Sequence, residues 1–154
     1  MRILVAVATR HGATREIAEH LATSLGSALT DVGVASEVEV RDVALVGSLD
    51  GFDAVVLGSS VHQGHWLEPA RKFAESFSDD LRWLPVWLFS SGPVGQEHEP
   101  ADDLVRKLGA RGHRMCGGDI DRHDGETRDW PWIRSWGYEI GSTLAAAKLA
   151  GSTS

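Results

Sequence analysis

Three runs of consecutive apolar residues constrain this chain more than any other feature: Ile3 to Ala8, Ala54 to Leu57 leading into Gly58-Ser59, and Leu84 to Phe89. A strand with one face in water alternates apolar and polar residues. A strand without polar interruption is buried on both faces, as in a parallel sheet covered by helices. Helical patterns lie between these runs. Ile17, Leu21, Leu25 and Leu29, flanked by Ala18 and Ala22, form one apolar face. Pro69 to Phe77 and Ala101 to Leu108 read as two further helices. Trp132, Ile133, Trp136, Ile140 and Leu144 line a last one, with Asp129 as its N-cap and Pro131 in its first turn. Val34 to Val40 alternates as an outer strand does, and His113 to Cys116 is a short fifth strand. Strands alternating with helices predict an α/β fold, a parallel sheet with right-handed crossovers wound in both directions.

At 154 residues and 42% hydrophobic composition, the chain has the material for one core. Residues 1–150 are expected to form a single domain and 151–154 a disordered tail. Net charge is −7, with acids and bases interspersed rather than gathered into a basic run, which argues against nucleic acid as partner. Cys116 is the sole cysteine, so no internal disulfide can form, and its apolar surroundings predict a buried, inert thiol. The apolar N-terminal run is too short for a signal segment, and no run approaches the roughly 20 residues that span a bilayer. The expectation is a cytoplasmic protein without a transmembrane segment, peripheral membrane contact remaining open.

In a doubly wound sheet, ligands bind beyond the carboxyl ends of the strands, where the winding reverses. The loop after the first strand, Thr9-Arg10-His11-Gly12-Ala13-Thr14-Arg15, runs straight into a helix. Backbone N–H groups and the positive end of the helix dipole suit that place to a phosphate. The dinucleotide pattern G-x-G-x-x-G and the triphosphate loop G-x-x-x-x-G-K-[ST] are both absent. A phosphoacceptor receiver domain would need acids after the first and third strands and a lysine after the fifth. Thr9, Ser59 and Gly117 stand there instead.

Thr9-x-x-Gly12-x-Thr14 resembles the flavodoxin phosphate loop. Thr9 to Ala18, and Val55 to Trp66 with Gly64-His65 before an aromatic, are similar to the flavodoxin-like, menaquinone-dependent protoporphyrinogen oxidases. The resemblance implies a flavodoxin-like three-layer sandwich with a five-stranded parallel sheet of order 2-1-3-4-5, and FMN as cofactor. It implies phosphate binding by Thr9, Arg10, His11, Gly12, Ala13 and Thr14. Flavodoxins usually carry a hydroxyl residue just before the glycine; here that residue is His11, and Arg10 offers a compensating charge. The flavin ring would be framed by Ser59, Ser60, Val61, His62, Gly64, His65 and Trp66, and by Ser90, Ser91, Gly92, Pro93 and Val94. The bacterial oxidases also carry a long helical segment before the last helix, where this chain has only Asp119 to Thr127.

The flavin would carry the redox chemistry itself, so no side-chain catalyst is required, although His62 or His65 is a candidate for proton transfer near its N5. Trp66 serves equally well as a core residue. His62 and His65 have metal-ligand spacing, but a third ligand is not evident, so no metal is expected. The loop from Ser90 to Gly95 has no aromatic residue to cover the ring's second face, which favours a quinone or another small-molecule substrate there. The alternative reading is an electron carrier whose acidic surface docks a basic redox partner protein. A flavodoxin-like domain that binds no flavin is the third.

Overall fold

The computed structural model describes residues 1–10, 12–92, 100–117 and 130–151. Six strands and five helices follow one another along them. These are β1 (Arg2–Ala8), α1 (Ala13–Asp31), β2 (Glu37–Asp42), a 3-10 turn (Val43–Leu45), β3 (Ala54–His62), β4 (His65–Trp66), α2 (Glu68–Ser76), α3 (Ser78–Arg82), β5 (Val86–Gly92), α4 (Pro100–Leu108), β6 (Gly112–Gly117) and α5 (Trp130–Gly151). The apolar runs form the middle of the sheet, whose order is β2-β1-β3-β5-β6. All neighbours on that path are parallel, with Val5 opposite both Val40 and Val56 and with Leu57 opposite Leu88. The predicted 2-1-3-4-5 order therefore stands, with one strand added. β4 turns back antiparallel on β3, placing Trp66 opposite Val61.

Both faces of the sheet are covered, because β1, β3 and β5 have apolar residues of both parities. Ile3, Val5 and Val7 point toward α1 and α5, where Ile17, Leu21, Leu25, Ile133, Trp136 and Ile140 meet them. Leu4, Ala6, Val55, Leu57 and Leu88 point the other way, against Ala70, Phe73, Leu81 and Leu108. Each fully buried Val, Leu or Ile contributes about 1.5–3 kcal/mol. Two contacts are close enough to dictate glycine. The Phe89 ring lies over Gly58, where a Cβ would come within 2.1 Å of it. Where α5 crosses α1, Cβ atoms on Gly137 and Gly141 would stand 2.8 Å and 2.5 Å from the carbonyl oxygens of Leu21 and Leu25.

Several predicted boundaries move, each for a local reason. Val34 leaves the outer strand because it completes the cap of α1: Gly33, at φ 77°, donates to Thr30 O and Val34 donates to Leu29 O. β5 starts at Val86 rather than Leu84, since Pro85 has no N–H to donate, and it continues through Ser90 and Ser91 to Gly92. The helix predicted over Pro69 to Phe77 is α2, one residue earlier at each end, and an unpredicted short α3 follows it after Phe77. Gly151, placed in the tail by the sequence, closes α5, whereas 152–154 and the Asp129 cap lie outside the described residues.

Candidate functional site

From β1 the chain winds outward to β2 and then returns to the other side of β1 with β3, so the winding reverses between β1 and β3. The crevice beyond their carboxyl ends is where such sheets hold ligands. On the β1 side, Thr9 and Ala13 are half-buried, Arg10 and Gly12 exposed, and Thr14 fully buried. Thr9 Oγ1 accepts a bond from the Gly12 N–H at 2.9 Å. Gly12 adopts φ 86° with open space around its Cβ position, so the glycine is there for its backbone conformation. It starts α1 without a side-chain cap, which leaves the positive end of that helix facing the crevice.

On the β3 side, the strand continues past Ser59, where the apolar run ends, through Ser60, Val61 and His62. Gln63 (φ 53°) and Gly64 (φ 78°) then make a two-residue turn, and His65 and Trp66 return along β3. Two left-handed residues at the corner match the twist of the strands they join. Ser59, fully buried, donates to Ser60 O and accepts from the Leu67 N–H, which fixes the passage from β4 into α2.

The two sides meet. Thr14 Oγ1 and Ser60 Oγ are hydrogen-bonded at 2.7 Å, and the Arg10 guanidinium donates to His62 Nδ1. Since a guanidinium can only donate, His62 accepts as a neutral ring with its proton on Nε2. Among the described residues, no carboxylate lies within ion-pairing distance of Arg10. A full positive charge, a helix N-terminus and hydroxyls thus converge, a donor set suited to a phosphate.

The remaining predicted residues are placed differently. Ser90 and Ser91 are buried strand residues opposite Ser59 and Ser60, and Gly92 ends β5. Trp66 is 3% exposed and packs in the core toward α2–α4, where its indole N–H donates to Ser90 Oγ at 2.7 Å. His11, Pro93 and Val94 lie outside the described residues. His62 and His65 are exposed and face each other across the hairpin, and among the described residues no three His, Cys, Asp or Glu gather as metal ligands. Cys116 is buried, and that burial pushes its thiol up to about 12. Sequence reasoning missed His113, which meets Ser90 from β6. Nothing in its local pattern marks it, because the contact is made across strands. An open groove of about 410 Å³ between α1 and β2 lies away from all of these residues.

Comparison with known proteins settles the family. The flavodoxin domain matches residues 4–122, including β1, both facing loops and β6. The chain belongs to the flavodoxin domain family. FMN is the cofactor of that family, and its members are oxidoreductases or electron carriers of flavodoxin type. The Escherichia coli K12 protein named protoporphyrinogen IX dehydrogenase [quinone] is 29% identical over 99 residues, which are 64% of this flavodoxin domain and 52% of that enzyme. The chain thus spans about half the length of the relatives it matches. An archaeal flavodoxin superposes with a TM-score of 0.70 at 18% identity, covering 96% of this chain and 98% of that one. The rubredoxin oxygen:oxidoreductase of Desulfovibrio gigas gives 0.69 at 15% identity over 97% of this chain and 37% of its own. These likenesses show the shared fold. No helix among the described residues is long and apolar enough to cross a membrane.

Proposed function

We propose that this flavodoxin domain is an FMN-dependent oxidoreductase passing electrons between a reduced donor and a quinone-like or porphyrinogen-like small molecule, in the cytoplasm. The meeting of Arg10 and Thr14 with His62 and Ser60 at the reversal point carries the reading. Arg10, Thr9, Gly12, Ala13, Thr14 and His11 hold the phosphate, with Arg10 turning from His62 to the dianion. Ser60, Val61, His62, Gly64 and His65 frame the ring from the β3 side, and the buried Ser59, Trp66 and Ser90 support that frame from beneath. Bound FMN supplies a ring able to take up electrons with protons and release them. The β3–β4 hairpin presents His62 and His65 to solvent, where an imidazole would pass protons to a ring held against the hairpin. Similarity to the Escherichia coli dehydrogenase supports a quinone as acceptor.

An absorbance and fluorescence titration with FMN, followed by turnover with a soluble quinone, tests this. Saturable one-to-one binding and quinone-dependent reoxidation are expected. Failure to bind would overturn the reading. The second reading, an electron carrier, draws on the net charge of −7, which suits a basic protein partner.

A further inference from the structure

A chain of two hydrogen bonds, one buried and one part-buried, crosses the sheet from its outer edge to the hairpin. Trp66 lies just beyond the Gln63-Gly64 turn, with its indole buried to 3% exposure. An indole N–H can only donate, so a buried one needs an acceptor, and Ser90 Oγ on β5 provides it at 2.7 Å. Ser90 is itself 3% exposed, and its hydroxyl lies 2.7 Å from His113 Nε2 on β6. A serine that has accepted from the indole still has its own proton to give, and His113 Nε2 is within reach of it. Leu88, on β5 in register with His113, belongs to the α2–α4 core face. The returning arm of the hairpin is short, since β4 has two residues, and Gln63 at its corner adopts φ 53°, a conformation that side chains disfavour.

We infer that His113 is a positioning residue for the flavin ring: through Ser90 it holds Trp66, and Trp66 holds the hairpin from His62 to His65 against which the ring lies. This rests on the FMN reading above, but its mechanical part does not. Loss of the acceptor at 113 leaves the Ser90 hydroxyl without that bond, and loss of Ser90 strands a buried indole donor. Either change acts on the hairpin from its β5–β6 side, whereas the phosphate loop keeps its internal Thr9–Gly12 bond and meets β3 on the other side through Thr14–Ser60 and Arg10–His62.

The test compares His113→Leu, His113→Gln and Ser90→Ala, with Leu108→Ala as a control that weakens the same core face elsewhere. In the protein without flavin, H113L and S90A are expected to speed amide hydrogen exchange at residues 61–66 and to shift the Trp66 indole proton resonance. Residues 8–14 should exchange as in the wild type. H113Q, whose side-chain oxygen can accept from Ser90, should restore both. With flavin, H113L is expected to weaken FMN and riboflavin alike by about tenfold and to shift the visible flavin band, as the loss is at the ring. Exchange and resonance unchanged in H113L and S90A, or shifted equally by L108A, would overturn the inference. If the wild type bound no FMN, the functional reading would fall, while the exchange data would still decide whether His113 positions the hairpin. Should H113L not fold, S90A against H113Q decides the same question.

Discussion

Arg10 holds its charge against a neutral imidazole rather than a carboxylate, so nothing must be displaced electrostatically when a phosphate arrives. Arg10→Ala is accordingly expected to weaken FMN by about tenfold or more and to leave riboflavin, which has no phosphate, bound as before. Parallel titrations with the two flavins check this, and equal losses would remove the phosphate contact from Arg10. Cys116 gives a second residue-level expectation. Its thiol is pushed from 9.0 to about 12 by burial. The unfolded chain therefore releases this proton first as pH rises. The stability linked to the protonated thiol is present below pH 9 and lost as pH climbs toward 12. Urea unfolding across that window should show a steeper decline for the wild type than for Cys116→Ala. A thiol reagent at pH 8 should modify the unfolded protein and spare the native one. The buried character of Cys116 was legible in the sequence. The roles of Ser59 and Ser90 were not, because bonds to residues on other segments leave no mark in a local pattern; both sit in strands and spend their hydroxyls beneath the crevice.

Elements show the same division. The apolar runs announced β1, β3 and β5, and spacing announced α1 and α5, because burial on two faces leaves a pattern in a single segment. β4 left none, since two residues are too few for periodicity and its turn carries Gln63 where Asn or Gly is the usual corner. Gln63→Gly should relieve the strained corner and raise stability by about 0.5–1 kcal/mol, read from the urea midpoint, with Gln63→Val moving it the other way. Gly137 and Gly141 were likewise passed over, because only a neighbouring backbone explains them. Gly141→Ala places a methyl 2.5 Å from the Leu25 carbonyl oxygen, a group that cannot swing aside. A loss of about 1–3 kcal/mol is expected, and a wild-type midpoint in that variant would show that the two helices can part.

For the whole molecule, net charge separates the two functional readings. A protein of charge −7 attracts a basic partner at long range, and salt screens that attraction over about 10 Å at 0.1 M. Electron exchange with such a protein should slow about tenfold between low and high salt, whereas reaction with a neutral quinone should hardly change. Stopped-flow rates measured at several ionic strengths distinguish them. The order of assembly follows from the close seating of α5 on α1. During synthesis the amino-terminal helix emerges early, and its Leu21 and Leu25 stay uncovered until the carboxyl-terminal helix that shields them is released. Until then the growing chain carries an apolar flank prone to stick to other chains.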